Sequence, residues 1–130
     1  MHEMHISLLY AAIAALIAFW LSMRCGKVRM AEKISMGDGG NDALLRRMRA
    51  QANFTEYTPF ALVLIVVLDM AGQGGTALAV SAFAFMLGRV FHAIGMDSDA
   101  SKGRMVGMIL TMPILLGWSI AAGLAAFGVI

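Results

Sequence analysis

Charged residues are scarce in this sequence and are missing from long stretches of it. Asp, Glu, Lys and Arg make up 14% of the 130 residues, whereas 60% are hydrophobic and the mean hydropathy is +0.78. Soluble domains average roughly 45–50% apolar residues. The composition therefore excludes an ordinary soluble domain and indicates a membrane protein, and the length allows one domain.

Cysteine is nearly absent, because Cys25 is the only one in the chain. An intramolecular disulfide is therefore excluded, and cysteine usage gives no information on the redox compartment. All Lys and Arg fall within residues 24–49 and 89–104, a distribution that signals membrane topology rather than nucleic-acid binding. We assign no metal site, because His2 and His5 stand at a frayed terminus without a third ligand.

Four apolar segments are long enough to cross a bilayer. The predicted spans are residues 6–23, 53–71, 76–96 and 105–128, which makes the chain (1–130) a single all-α domain of four transmembrane helices. The second helix is predicted to start near Ala43, with Asn41 or Asp42 as its N-cap. Its charge-free part has only 12 residues, so the span must include Glu56 or Asp69.

The distribution of positive charge predicts the orientation of these helices. Residues 24–49 and 96–104 form two loops on the same side of the membrane, and they hold nearly all of the Lys and Arg. By the positive-inside rule both loops are cytoplasmic and both termini face outward. The polar side chains within the spans that are candidates for ligand contacts then all lie in the cytoplasmic half of the membrane.

Polar side chains follow three of the predicted helices in that half. Ionisable groups at membrane depth are costly and are usually kept for a function. Residues three and four apart share one helical face, so each helix presents its polar groups as a stripe. Guanidinium groups pair bidentately with carboxylates, which suits a small ligand that bears carboxylates. The candidates, in chain order, are Arg49, Asn53, Glu56, Arg89, His92 and Arg104.

The second-helix stripe resembles the signature of a known family. From Arg49 to Pro59 the spacing is Arg-x-x-x-Asn-x-x-Glu-x-x-Pro, which resembles the MAPEG family, the membrane-associated proteins in eicosanoid and glutathione metabolism. The fuller pattern Arg-Ala-Gln-x-Asn-x-x-Glu-Tyr-x-Pro is most similar to the leukotriene-forming microsomal glutathione transferases. The segments at Arg89 and Arg104 resemble the family's third-helix and fourth-helix elements, and the glycine-rich turn at 37–40 resembles a bacterial branch.

This resemblance implies a homotrimer in a bacterial inner membrane, with glutathione sites between neighbouring subunits that open to the cytoplasm. It implies a transferase or peroxidase that uses glutathione as co-substrate, without a metal, on a lipophilic small molecule in the bilayer. Arg104 is the implied catalytic residue, which stabilises the glutathione thiolate. The implied glutathione-binding residues are Arg49, Asn53, Glu56, Tyr57, Arg89 and His92.

Other roles remain open for the same residues. Several catalytic members of the family have tyrosines late in the third helix, where this chain has Ile94 and Met96. The alternative is therefore a non-catalytic trimeric scaffold or lipid-binding protein of the same family. Arg49 alone also suits an anchor at headgroup level, and Glu56 a structural ion pair. His92 alone suits an interhelical hydrogen bond.

Overall fold

The computed structural model describes residues 4–99 and 101–130, and within them every long regular element is a helix. The helices are α1 (His5–Glu32), α2 (Asp42–Leu68), α3 (Thr76–Gly95) and α4 (Gly103–Ala126). All four are long and apolar enough to cross a membrane. The predicted all-α, four-helix membrane fold is thus confirmed. His2, considered above as a metal ligand, lies outside the described residues.

The first two helices extend well beyond the predicted spans. α1 continues through its basic residues to Glu32 and is followed by Lys33, whose φ of 55° is left-handed. α2 begins at Asp42, where the side chain of Asn41 accepts a hydrogen bond from the Leu44 backbone N at 2.9 Å. The predicted N-cap at Asn41 is therefore confirmed. The helices outrun the spans because charge marks where a helix leaves the hydrocarbon, and a helix can continue in water.

Successive helices run antiparallel, so the two basic loops meet at one end of the bundle, here called the basic end. There Arg24 of α1 pairs with Asp97 and donates to the Ala93 carbonyl oxygen at 3.2 Å. Arg46 of α2 pairs with Asp99 at 2.9 Å. The last carbonyls of a helix lack partners within it. The arginines that predicted the topology therefore also fasten the C-terminal end of α3 to α1 and α2.

Asp69, rather than Glu56, is the carboxylate that the bundle buries. It opens the π-helical turn Asp69–Gln73 at the end of α2 opposite the basic end, and it is 1% exposed. Its Oδ2 accepts hydrogen bonds from the Ser7 backbone N at 3.0 Å and from Ser7 Oγ at 2.7 Å. Ser7 lies in the first turn of α1, whose N–H groups have no partner within the helix. Asp69 thus caps α1 from another helix.

Close glycine contacts join α3 to α4 near the basic end. A Cβ on Gly107 of α4 would lie 2.6 Å from the Gly88 carbonyl oxygen and 2.7 Å from the His92 backbone N. A Cβ on Gly103 would lie 2.7 Å from the Phe91 carbonyl oxygen. Such spacing means that the two backbones touch, as membrane helices do at small residues. This contact sets the positions of the polar residues on α3.

An apolar core fills the bundle between its two ends. Ala61 and Ile65 of α2 are fully buried, as are Ala82 and Phe85 of α3. The Phe85 ring lies 5.5 Å from the ring of Trp118 on α4. Many large apolar side chains face outward, as expected of a surface that contacts lipid tails.

Candidate functional site

Arg89 is the centre of a polar cluster at the basic end. It is 2% exposed, although arginine is rarely enclosed without partners. Its Nη1 donates a short hydrogen bond to Oδ1 of Asn53, and its Nη2 donates to the Gly107 carbonyl oxygen at 3.4 Å. The guanidinium reaches that carbonyl because Gly107 has no side chain to hold α4 away. The glycine contact therefore determines where this charge lies.

Aromatic rings flank the same guanidinium. Its Cζ lies 5.7 Å from the ring centroid of Tyr57 and 5.8 Å from that of Phe85. Both distances fall within the range of about 6 Å over which a cation is attracted to an aromatic face. Two ion pairs lie at the basic end of the described chain, Arg24 with Asp97 and Arg46 with Asp99. No carboxylate of the described residues forms an ion pair with Arg89. The buried positive charge is thus held by neutral groups, which favours an anion nearby.

His92 lies one turn after Arg89 and is buried against α4. A Cβ on Gly107 would come within 2.6 Å of the His92 Cβ, so the imidazole-bearing carbon sits directly on the glycine. The structure therefore brings four predicted site residues together, and these are Asn53, Tyr57, Arg89 and His92.

Three other predicted site residues lie on the surface of the subunit. Arg49, Glu56 and Arg104 are exposed. Arg49 and Glu56 share the outward face of α2 with Phe60, which is 69% exposed. The second-helix stripe is therefore split: Asn53 turns inward to Arg89, whereas the two charged members point away from the bundle. One subunit alone does not enclose these charges.

A polar groove runs along α2 beside this outward face, between α1 and α2, and Glu56 stands at its edge. Its volume is about 440 Å³, and it is lined by Arg29, Met48, Gln51, Ala52, Thr55 and Glu56. Gln51 is held in place because its Nε2 donates to Ser22 Oγ at 2.9 Å. Arg29 and Gln51 were not among the predicted site residues. Gln51 lies inside the second-helix signature, but Arg29 looked like one of several topology-setting charges.

An apolar groove continues from the polar one toward the middle of the bundle. It has a volume of about 330 Å³ and shares Gln51 and Thr55 with the polar groove. Alanines of α1 form one wall, including Ala11 and Ala18. Thr58 lines the opposite wall, and its buried Oγ1 has no hydrogen-bond partner in the described part of the chain. A polar and an apolar compartment are thus adjacent on one face.

Comparison with known proteins covers the same residues. The model of the MAPEG family matches residues 7–124, a range that includes every site residue named above. The chain is 31% identical over 111 residues to "Inner membrane protein YecN" of Escherichia coli (strain K12), a match that covers 85% of each chain. The protein of the same name from Escherichia coli O6:H1 gives the same identity and coverage.

Proposed function

The chain belongs to the MAPEG family, and from that premise we propose that it is a membrane-bound glutathione transferase or peroxidase-like enzyme acting on lipophilic electrophiles. The observation that carries the proposal is the buried Arg89 without a carboxylate partner among the described residues. Asn53 and Tyr57 beside it add hydrogen-bonding groups, and exposed Arg49 and Arg104 add positive charge. Glutathione carries two carboxylates and a thiol, so it fits such a site.

Each charged residue has a part in this proposal. Arg49 pairs with a carboxylate of glutathione, because a guanidinium matches a carboxylate with two parallel hydrogen bonds. Glu56 pairs with the ammonium group of the same molecule. The glutathione thiol gives its proton to solvent, and Arg104 stabilises the resulting thiolate. The thiolate attacks the carbon of the electrophile, so that a thioether bond forms and the bond to a leaving group such as chloride breaks. No metal takes part, and glutathione is the co-substrate.

The apolar groove between α1 and α2 supports a lipophilic second substrate. Its alanine wall leaves space for an apolar molecule from the bilayer, and it meets the polar groove at Gln51 and Thr55. A hydrophobic substrate can therefore approach a polar compartment without crossing water. Sites for small molecules commonly combine apolar walls with a few polar groups in this way.

The proposed location is a bacterial inner membrane, with both basic loops in the cytoplasm and both termini outside. The relatives are named inner membrane proteins, and Lys and Arg collect at one end of the bundle. A reporter enzyme that is active only in the periplasm is expected to be active when it is fused after Ile130. Activity from a cytoplasm-specific reporter at that position would contradict the orientation and turn the site toward the periplasm.

The proposal places the glutathione site between subunits of a homotrimer. Exposed Arg49, Glu56 and Arg104 are costly against hydrocarbon, and a neighbouring subunit in a closed ring covers them. We expect purified protein in mild detergent to bind glutathione in a calorimeter. Arg49→Ala or Glu56→Ala should weaken binding by at least about tenfold, because each removes one side of a charged contact.

The matched control for these variants is Lys27→Ala, which removes an exposed positive charge from α1 at the same end of the bundle. Its affinity should equal that of the wild type. Native mass spectrometry of every variant should show a particle of three 13.9 kDa chains. Unchanged glutathione affinity in trimeric Arg49→Ala and Glu56→Ala proteins would contradict the site, and a purely monomeric wild type would contradict the assembly.

A non-catalytic scaffold or lipid-binding protein is the second candidate. It is favoured by Ile94 and Met96, which stand where several catalytic relatives have tyrosines. Ile94 is half exposed and offers no hydroxyl to the cluster around Arg89. We therefore expect modest turnover even in the wild type. If the protein consumes an electrophile or a hydroperoxide in the presence of glutathione, it is an enzyme. If it consumes neither, the scaffold candidate is supported.

A further inference from the structure

The contact between Arg89 and Asn53 fixes which group Asn53 can offer to a ligand. A guanidinium has N–H donors and no acceptor. The Asn53 atom that faces Arg89 Nη1 must therefore be the carbonyl oxygen, because an amide NH2 there would set donor against donor. The Asn53 amide nitrogen consequently points away from Arg89. Asn53 is only half-buried, and no hydrogen bond within the described part of the chain engages this nitrogen.

Arg89 itself is enclosed: its Nε has no hydrogen-bond partner among the described residues, but that atom is buried and a molecule outside the bundle does not reach it. Its Nη2 is engaged by the Gly107 carbonyl oxygen at 3.4 Å and by Met108 Sδ at 3.6 Å. Its two flanks are occupied by the rings of Tyr57 and Phe85. A side chain that is 2% exposed and bound on several sides by its own protein does not reach a molecule outside the bundle.

We infer that Arg89 is a positioning residue, which holds the Asn53 carbonyl oxygen so that the Asn53 amide donates to an acceptor oxygen of the ligand. The inference rests on the proposed function. The group of glutathione that Asn53 contacts is then a carboxylate or peptide oxygen and not the ammonium. Arg89 itself does not contact a carboxylate of glutathione, although the family resemblance implied that it would. The nearby positive charge also polarises the amide, which strengthens it as a donor.

The orientation is tested by comparing Asn53→Asp with Asn53→Ala. Aspartate keeps the shape of asparagine and still accepts from Arg89, but its second oxygen faces the ligand as an acceptor. Loss of the donor in Asn53→Ala should weaken glutathione binding about tenfold. The carboxylate of Asn53→Asp adds repulsion and should weaken it at least about a hundredfold. If Asn53→Asp binds as tightly as the wild type, the amide is turned the other way and the inference is overturned.

The indirect role of Arg89 is tested by a double-mutant cycle in the trimeric protein. Arg89→Lys keeps the charge but loses the planar fork, so Asn53 is held less firmly and glutathione binding should fall about tenfold. In the Asn53→Ala background the same change should have less than about a twofold effect, because no amide remains to be positioned. Equal losses in both backgrounds would show that Arg89 contacts glutathione directly and would overturn the inference.

Thermal unfolding supplies a readout that does not depend on glutathione. Asn53→Asp gives the buried Arg89 a carboxylate partner, so its Tm should lie above that of Asn53→Ala. A lower Tm for Asn53→Asp would overturn the Arg89–Asn53 contact. If the wild type binds no glutathione, the proposed function fails, whereas this comparison still decides the orientation of Asn53. If Arg89→Lys does not fold, the Asn53 variants alone decide the inference.

Discussion

Gly107→Ala is expected to separate α3 from α4, to destabilise the bundle and to weaken glutathione binding strongly. The new Cβ would lie 2.6 Å from the Gly88 carbonyl oxygen and 2.7 Å from the His92 backbone N. Backbone atoms within helices cannot rotate away as a flexible side chain can. Overpacking of this kind costs about 1–3 kcal/mol or more. Unfolding by titration with a denaturing detergent measures the loss.

The matched control is Gly117→Ala, which places the same methyl group on the same helix. Apart from the backbone of its own helix, no atom of the described residues lies within 4 Å of a Cβ at Gly117, and alanine is a better helix former than glycine. Its stability should therefore equal or slightly exceed that of the wild type. If Gly107→Ala is as stable as Gly117→Ala, the close backbone contact between α3 and α4 does not exist.

The effect of Gly107→Ala on the site follows from the position of Arg89. The Arg89 guanidinium binds the Gly107 carbonyl oxygen on α4 and Asn53 on α2, so it links three helices through one side chain. Displacing α4 by the size of a methyl group stretches the 3.4 Å contact beyond hydrogen-bonding distance. Asn53 then loses the partner that orients it, and glutathione affinity falls together with stability.

The helices could be predicted from the sequence because the information that defines them is local. Apolar runs of sufficient length predict spans, and Asn41 predicts a helix start through a hydrogen bond to Leu44, only three residues on. The sequence left two candidates for the carboxylate at membrane depth, Glu56 and Asp69. The choice between them depends on Ser7, which is 62 residues from Asp69 and binds it only after the chain has folded.

The sequence predicted that some of the candidate site residues lie together, but it could not predict where the others lie. Spacing and the family resemblance indicated Asn53, Arg89 and His92, which do lie together. A helical stripe shows which residues share a face, but not what that face meets, so it could not show that Arg49 and Glu56 point out of the subunit. The glycine contacts between α3 and α4 are also tertiary contacts. The sequence shows where the glycines are, but not which residue of another helix packs against each of them.

Arg104→Ala is expected to remove the catalytic function while it preserves much of the affinity for glutathione. Arg104 is exposed in the first turn of α4, a helix that begins at Gly103, whose backbone N–H donates to Ser101 Oγ at 3.2 Å. A thiolate beside Arg104 therefore meets a guanidinium together with the positive end of a helix dipole. Wild-type protein with glutathione should show the ultraviolet absorbance of bound thiolate near neutral pH. Arg104→Ala should lose that signal and conjugate a chloronitrobenzene about a hundredfold more slowly.

Two further variants test whether the positive charge at position 104 causes the thiolate signal and the conjugation rate. Lys102→Ala removes a neighbouring exposed positive charge, and it should retain both the thiolate signal and the conjugation rate. Arg104→Lys retains a cation and should restore part of both, because a cation beside sulfur favours the thiolate whichever residue supplies it. If wild-type protein binds glutathione but forms no thiolate and consumes neither electrophile nor hydroperoxide, the enzyme proposal fails. The same site then binds glutathione without activating it, which is the behaviour expected of the scaffold alternative.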